Sequence, residues 1–199
     1  LFPRLPRRNP HSFTFLLASL SNHLDTEPAA AGSIASRFMG THVHALAVKA
    51  GAAGDLYVRN AQIHFYGVCG DVAAMRKVFD ELPIVRDVVT WNAVLAGYVR
   101  AGMVGVAREV FDGMPVRDEG SWSTVVGGYV KEGEPEVALG VFKNMVAQGV
   151  KANEAAIVTA LSAAAQLGLL EQGKFVHEVV KRVGMTMSVN LGAALIDMY

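Results

Sequence analysis

The sequence predicts an all-α protein, a right-handed superhelical α-solenoid of helix–turn–helix repeats. Three observations predict it. First, residues 88–118, VVTWNAVLAGYVRAGMVGVAREVFDGMPVRD, nearly overlay themselves when shifted. Forward by 31 residues, Trp91 falls on Trp122, Tyr98 on Tyr129, Gly102 on Gly133, Phe111 on Phe142 and Met114 on Met145. Backward by 32, Asn92 falls on Asn60, Tyr98 on Tyr66, Gly102 on Gly70 and Phe111 on Phe79. Spaced matches in constant order at this period are the signature of a repeat architecture. Second, Val94, Leu95, Tyr98 and Val99 follow helical spacing, Gly102 interrupts, and Val106, Ala107, Val110, Phe111 and Met114 resume the period until Pro115. Each unit is therefore a pair of helices. Third, one such hairpin cannot bury its apolar faces alone, whereas stacked hairpins can.

In chain order, residues 1–11 are expected to form an irregular leader. Arg4, Arg7 and Arg8, with no early acid, match the tail of a transit peptide, while Pro3, Pro6 and Pro10 break any amphipathic helix there. Residues 12–55 form a degenerate first unit with HSFTFLLASL at its start and THVHALAVKAG at its end; the middle, with Pro28 and Gly32, is expected to be an inserted loop. Units 56–87, 88–118, 119–153 and 154–188 follow, and residues 189–199 open a sixth. Because the chain starts at Leu1 and stops inside a unit, a fragment of a longer protein is expected. Ala107 and Ala138 permit close helix approach, and Phe79, Phe111 and Phe142 fill the space between hairpins.

Apolar residues make up 52% of the chain and charged residues 18%, which favours an ordered, packed array over disorder. With 18 basic and 18 acidic side chains the net charge is zero, which argues against a DNA binder that works by neutralising phosphates but not against one that reads exposed bases. Residues 155–170 are the most apolar run; Thr159, Ser162 and Gln166 interrupt it, so a buried helix is expected there and no membrane span. Cys69 is the only cysteine, so no internal disulfide can form, which suits a reducing compartment.

The motifs VTWNAVLAGYVRAG with AREVFDGMP, and GSWSTVVGGYVKEG with ALGVFKNMVAQGVKAN, resemble pentatricopeptide repeats. ALSAAAQLGLLEQGKFVHEVVKRVG resembles a long L-type repeat, and LGAALIDMY and LYVRNAQIHFYGVCG resemble the short S type. The mixed lengths are similar to the plant P-L-S series. The tetratricopeptide repeat, a protein-interaction scaffold, is the nearest rival. Its 34-residue period and its glycine at the eighth position are missing, since Leu95 and Val126 stand there.

The resemblance implies single-stranded RNA as the partner, one base per repeat, with the fifth and last residues of each unit on the Watson–Crick edge. It assigns Asn60 with Asp87, and Asn92 with Asp118, to uridine, and Ser123 with Asn153 to adenine. Val89, second in its unit, would wedge between bases, and Tyr57 could stack in the same way. Val158 with Ser188, and Leu16 with Asp55, carry no readable preference, because the fifth residue has no hydrogen bond to give. Asp87, Asp118 and Asn153 are equally good helix N-caps, so that reading stays open. The implied setting is a mitochondrion or chloroplast, and the implied task is marking sites of C-to-U RNA editing. Editing-complex proteins, or a deaminase domain in trans or beyond residue 199, would supply the chemistry.

No enzyme site is expected. Gly168–Phe175 nearly matches a phosphate-binding loop, but Phe175 stands where a hydroxyl must ligate magnesium. His177–Glu178 lacks the second histidine of a metalloprotease helix, Lys181 standing there, and His42 and His44 lie on different helix faces. His44 and His177 occupy matching places in their units, which predicts a packing role. No metal or cofactor is expected.

Overall fold

The structure is a computed structural model, and it describes residues 10–26, 31–81 and 86–199. Among these there are eleven α-helices: α1 (Pro10–Thr26), α2 (Ala31–Lys49), α3 (Leu56–Val68), α4 (Val72–Asp80), α5 (Val88–Arg100), α6 (Val104–Asp112), α7 (Glu119–Lys131), α8 (Pro135–Ala147), α9 (Glu154–Leu167), α10 (Leu170–Val183) and α11 (Val189–Met198). They fall into two compact units, 1–101 and 102–199. In the first, α1, α3 and α5 pack side by side, with α2 and α4 as a second layer; in the second, α7, α9 and α11 do the same over α8 and α10.

The repeat is visible in burial. Val58, Thr90, Ser121, Ala156 and Leu191 are each buried one turn into an odd-numbered helix, at successive shifts of 32, 31, 35 and 35 residues. The pair Ile63 and Tyr66 recurs as Leu95 and Tyr98, Val126 and Tyr129, and Leu161 and Ala164. Phe13, Leu17 and Ser21 continue the series in α1, 45 residues before Val58, Gln62 and Tyr66. That register sets Phe15 level with Asn60, one position earlier than the expected Leu16.

Three expectations fail locally. The leader's residues 1–9 lie outside the described residues, but Pro10 and His11 already belong to α1. Proline is tolerated at a first helical position, where its missing N–H would be unpaired anyway. Gly32, expected in a loop, lies inside α2; Pro28 is outside the described residues. The apolar run 155–170 is not one helix: Gly168 adopts φ 64° and closes α9, and only one face of α9 is buried.

Turns inside the hairpins repeat as well. Gly70 and Gly133 have φ 71° and 78°, a left-handed conformation that side chains with a Cβ avoid. The following residue bonds back, Asp71 N–H to Tyr66 O at 2.9 Å and Glu134 N–H to Tyr129 O at 2.8 Å, which satisfies carbonyls the helix end would leave open.

Aromatic clasps join consecutive elements. Phe79 meets Trp91 edge-on at 5.0 Å with Arg86 stacked at 4.2 Å, and Phe111 meets Trp122 at 4.8 Å with Arg117 at 4.9 Å. Arg117 also donates to the carbonyls of Phe111 and Asp112. The matching histidines take the packing role expected of them: His44 Nδ1 lies 2.8 Å from the Tyr66 hydroxyl, and His177 Nδ1 lies 2.8 Å from that of Tyr199. Burial, and then the Arg59 charge, push the His44 pKa below 6.5, while burial raises Tyr66 to about 12, so both rings are neutral at pH 7.

α3 and α5 approach at glycine. A Cβ on Gly97 would overlap Met75 Sδ and lie 3.3 Å from Gly67 Cα. Gly97→Val should therefore lower the unfolding free energy by about 1–3 kcal/mol through overpacking. Gly105→Ala, in α6 with open space around its Cβ, should raise it by about 0.5–1 kcal/mol. Urea unfolding of the two variants reads both signs.

Candidate nucleic-acid interface

The site is built on helix starts. Asp55, Asp87, Asp118, Asn153 and Ser188 precede α3, α5, α7, α9 and α11, and each accepts the backbone N–H three residues on, at distances of 2.8–3.1 Å. These three residue types are strong N-caps because a short side-chain oxygen reaches the open N–H groups of a first turn. The capping reading is thus realised at every one of these positions.

Capping leaves atoms to spare, and two of the expected pairs meet. Asn60 Nδ2 donates to Asp87 Oδ1 at 3.4 Å, and Asn153 Nδ2 donates to Ser123 Oγ at 3.4 Å. In the second pair Asn153 caps with its oxygen and faces Ser123 with its amide nitrogen. Ser123 also donates to Gly120 O at 3.0 Å. Asn92 lies half-buried in α5 and Asp118 caps α7; they belong to different compact units, and each is described by itself. Val89 is 60% exposed and Tyr57 74% exposed, at the start of α5 and of α3. Phe15, level with Asn60, is 72% exposed.

A residue that the hydrophobic period did not single out organises the first pair. Thr90 is buried, and its hydroxyl lies 2.6 Å from Asn60 Oδ1 and 2.7 Å from Asp87 Oδ1, donating its one proton to either. Its signal in the sequence is a hydroxyl at the third position, repeated as Ser121, whose Oγ donates to Asp118 O at 2.8 Å.

Most of the cations with a mapped partner are engaged along the even-numbered helices, Arg76 with Asp80, Arg108 with Asp112, Lys174 with Glu171 and Lys181 with Glu178. Gly168 and Leu169 form the turn into α10, so the near phosphate-binding loop is a helix–turn–helix junction. Among the described residues no cluster of His, Cys, Asp or Glu could hold a metal, and no helix is long and apolar enough to cross a membrane. Cys69 is buried and in no disulfide.

Paired helices recurring at these intervals, each first helix capped in register, define a helical-repeat protein of the α-solenoid class. The family model for the PPR repeat matches residues 89–118 and 120–150. The chain is 32% identical over 98% of its length to the mitochondrial pentatricopeptide repeat-containing protein OGR1 of Oryza sativa subsp. japonica, of which it covers 27%. It is 45% identical over 81% of its length to a chloroplastic pentatricopeptide repeat-containing protein of Arabidopsis thaliana, of which it covers 35%. The crystal structure of pentatricopeptide repeat protein PPR10 in complex with an 18-nt psaJ RNA element matches with a TM-score of 0.71 at 19% identity, over 97% of this chain and 26% of that one. The chain belongs to the pentatricopeptide-repeat family, and it spans about a quarter to a third of the length of these relatives.

The first pair has a pH signature. Burial works against the Asp87 carboxylate, but hydrogen bonds from the Thr90 hydroxyl, the Thr90 N–H and the Asn60 amide together outweigh it and hold the carboxyl below 3.8. With the folded value depressed, the contribution to stability is complete above 3.8 and is lost as pH falls through the folded value. Carbon-13 NMR should place the Asp87 midpoint below 3.8 in the folded chain. Thr90→Val should move that midpoint upward and destabilise the chain by about 1 kcal/mol.

Proposed function

We propose that this chain is a sequence-specific single-stranded RNA-binding array of the mixed-length P-L-S series, at work in a mitochondrion or chloroplast. Its units are 12–55, 56–87, 88–118, 119–153, 154–188 and an opening sixth, each holding one base. The observation that carries the reading is the register of polar pairs: Asn60 with Asp87 and Ser123 with Asn153 are hydrogen-bonded across neighbouring helices beside the cap row. An amide beside a carboxylate offers a donor and acceptors together, the pattern that a base's Watson–Crick edge requires. Val89 and Tyr57, exposed on the helix starts, suit wedging and stacking. The relatives carry mitochondrial and chloroplastic names, and PPR10 was crystallised with RNA.

Asn60/Asp87 and Asn92/Asp118 select uridine and Ser123/Asn153 selects adenine, giving 5′-UUA with the RNA 5′ end towards the N-terminus. The biological task is marking sites for C-to-U editing, with the deamination done by a partner or by a domain elsewhere in the protein. The array itself is not an enzyme.

Selection of a randomised RNA pool by the chain at stated salt should enrich a short U/A-containing motif, and no enrichment would favour a protein-interaction scaffold instead. Asn92→Thr should shift one base from U towards G by about five-fold or more, the lower end of what one good base contact discriminates. Unchanged selectivity would remove Asn92 from the reading set.

A further inference from the structure

In the unit 154–188 the residue expected to read a base is Val158, which has no hydrogen bond to offer. The cap at the end of that unit has found another partner. Ser188 Oγ donates to Glu154 Oε1 at 2.5 Å, while the Ser188 hydroxyl also accepts the Leu191 N–H at 3.1 Å. Glu154 and Val158 are four residues apart on α9 and so share one helix face. The polar pair has moved one turn towards the helix start and kept its place beside the cap. Both Glu154 and Val158 line an open groove of about 1030 Å³ between α9 and α11, which also receives Thr159, Ser162, Asn190 and Asp197. Ser188 is the one side-chain partner of Glu154 among the described residues.

We infer that Glu154, oriented by Ser188, is the specificity-determining residue of this unit and that it selects guanine. The inference rests on the RNA-binding reading above. A carboxylate has two acceptor oxygens and no donor. Guanine alone presents two adjacent donors, the ring N1–H and the exocyclic amine, and can meet both oxygens at once. Uracil offers one donor between two acceptors. Adenine and cytosine set a ring acceptor beside their amine, which would face the carboxylate charge. The apolar Val158 leaves room beside the base without competing for its edge. Read in order, the array then recognises 5′-UUAG.

Four labelled RNAs, 5′-UUAN in identical cytidine flanks, can be titrated against the full 199-residue chain by fluorescence anisotropy. Guanine at N should bind about five-fold or more tighter than each of the other three, the lower end expected for a bidentate base contact. Inosine at N, which lacks the exocyclic amine, should lose most of that advantage with no change to the protein. Glu154→Gln, which keeps the shape but exchanges one acceptor for a donor, should bring the four RNAs within about two-fold of one another. Helix content and melting of the variant distinguish altered selectivity from lost fold. Preference for another base, equal binding of inosine and guanine, or an unaltered guanine advantage in Glu154→Gln overturns the inference. Selectivity for U, U and A with indifference at the fourth base overturns it and leaves the RNA reading standing. Absence of binding to every RNA overturns the RNA reading, and this inference falls with it.

Discussion

The structure depends most on one short contact repeated five times: a side-chain oxygen at the end of a unit accepting the N–H three residues into the next helix. The residue whose N–H is taken is Val58, Thr90, Ser121, Ala156 or Leu191, and each of them is buried. The cap therefore fixes where a helix starts and also its rotation, since the donor sits on the face that packs. Only Asp, Asn, Ser and Thr make this contact well. Asp carries a second oxygen and Asn an amide nitrogen beside the atom that caps, and a Ser hydroxyl can donate its own proton while it accepts. Exchange among them costs the fold little, yet it changes which donors and acceptors stand beside the neighbouring helix. Cap and cross-helix bond are thus made by one side chain, through separate atoms in Asn153 and through a shared oxygen in Asp87 and Ser188.

Behind that row, packing is carried by groups that need no particular partner molecule. The Phe79–Trp91–Arg86 and Phe111–Trp122–Arg117 clasps combine edge-on aromatic contact with a guanidinium over a ring face, both favoured by the ring quadrupole. Arg76 and Arg108 each hold an aspartate four residues on in their own helix. Arginines engaged in this way are poorly placed to neutralise phosphates, which agrees with the zero net charge. On the proposed RNA-binding reading, such a surface would gain its selectivity from base edges rather than from the charge of a nucleic-acid backbone.

The period, the hairpins and their turns were legible in the sequence because they rest on residues that recur in strict order. From Leu56 onwards the buried positions follow shifts that the amino-acid identities already display. α1 was harder to place. Phe13, Leu17 and Ser21 share no identity with Val58, Gln62 and Tyr66, and only burial reveals that Phe15 stands level with Asn60. Proline and glycine also misled: Pro10 occupies a first helical position where it does no harm, and Gly32 sits inside α2. At the candidate interface the polar pairs were what the family resemblance implies, and Asn60 with Asp87 and Ser123 with Asn153 are in contact in the structure. The part of Thr90 was not implied, because a buried hydroxyl leaves no trace in a pattern of apolar residues.

Glu154 shows why a positional rule reaches only so far. Counting from the start of a unit finds the fifth residue, and in the unit 154–188 that residue is valine. A cap, however, seeks a partner in space, and residues at positions one and five of a helix lie on the same face, one turn apart. When the fifth residue cannot answer, a longer side chain one turn earlier can reach the same cap, as Glu154 reaches Ser188. The conserved quantity in such an array is the location of the cap relative to the neighbouring helix face. The residue number that meets it follows from side-chain length. A reading of units with an apolar fifth residue should begin from the partner of the cap.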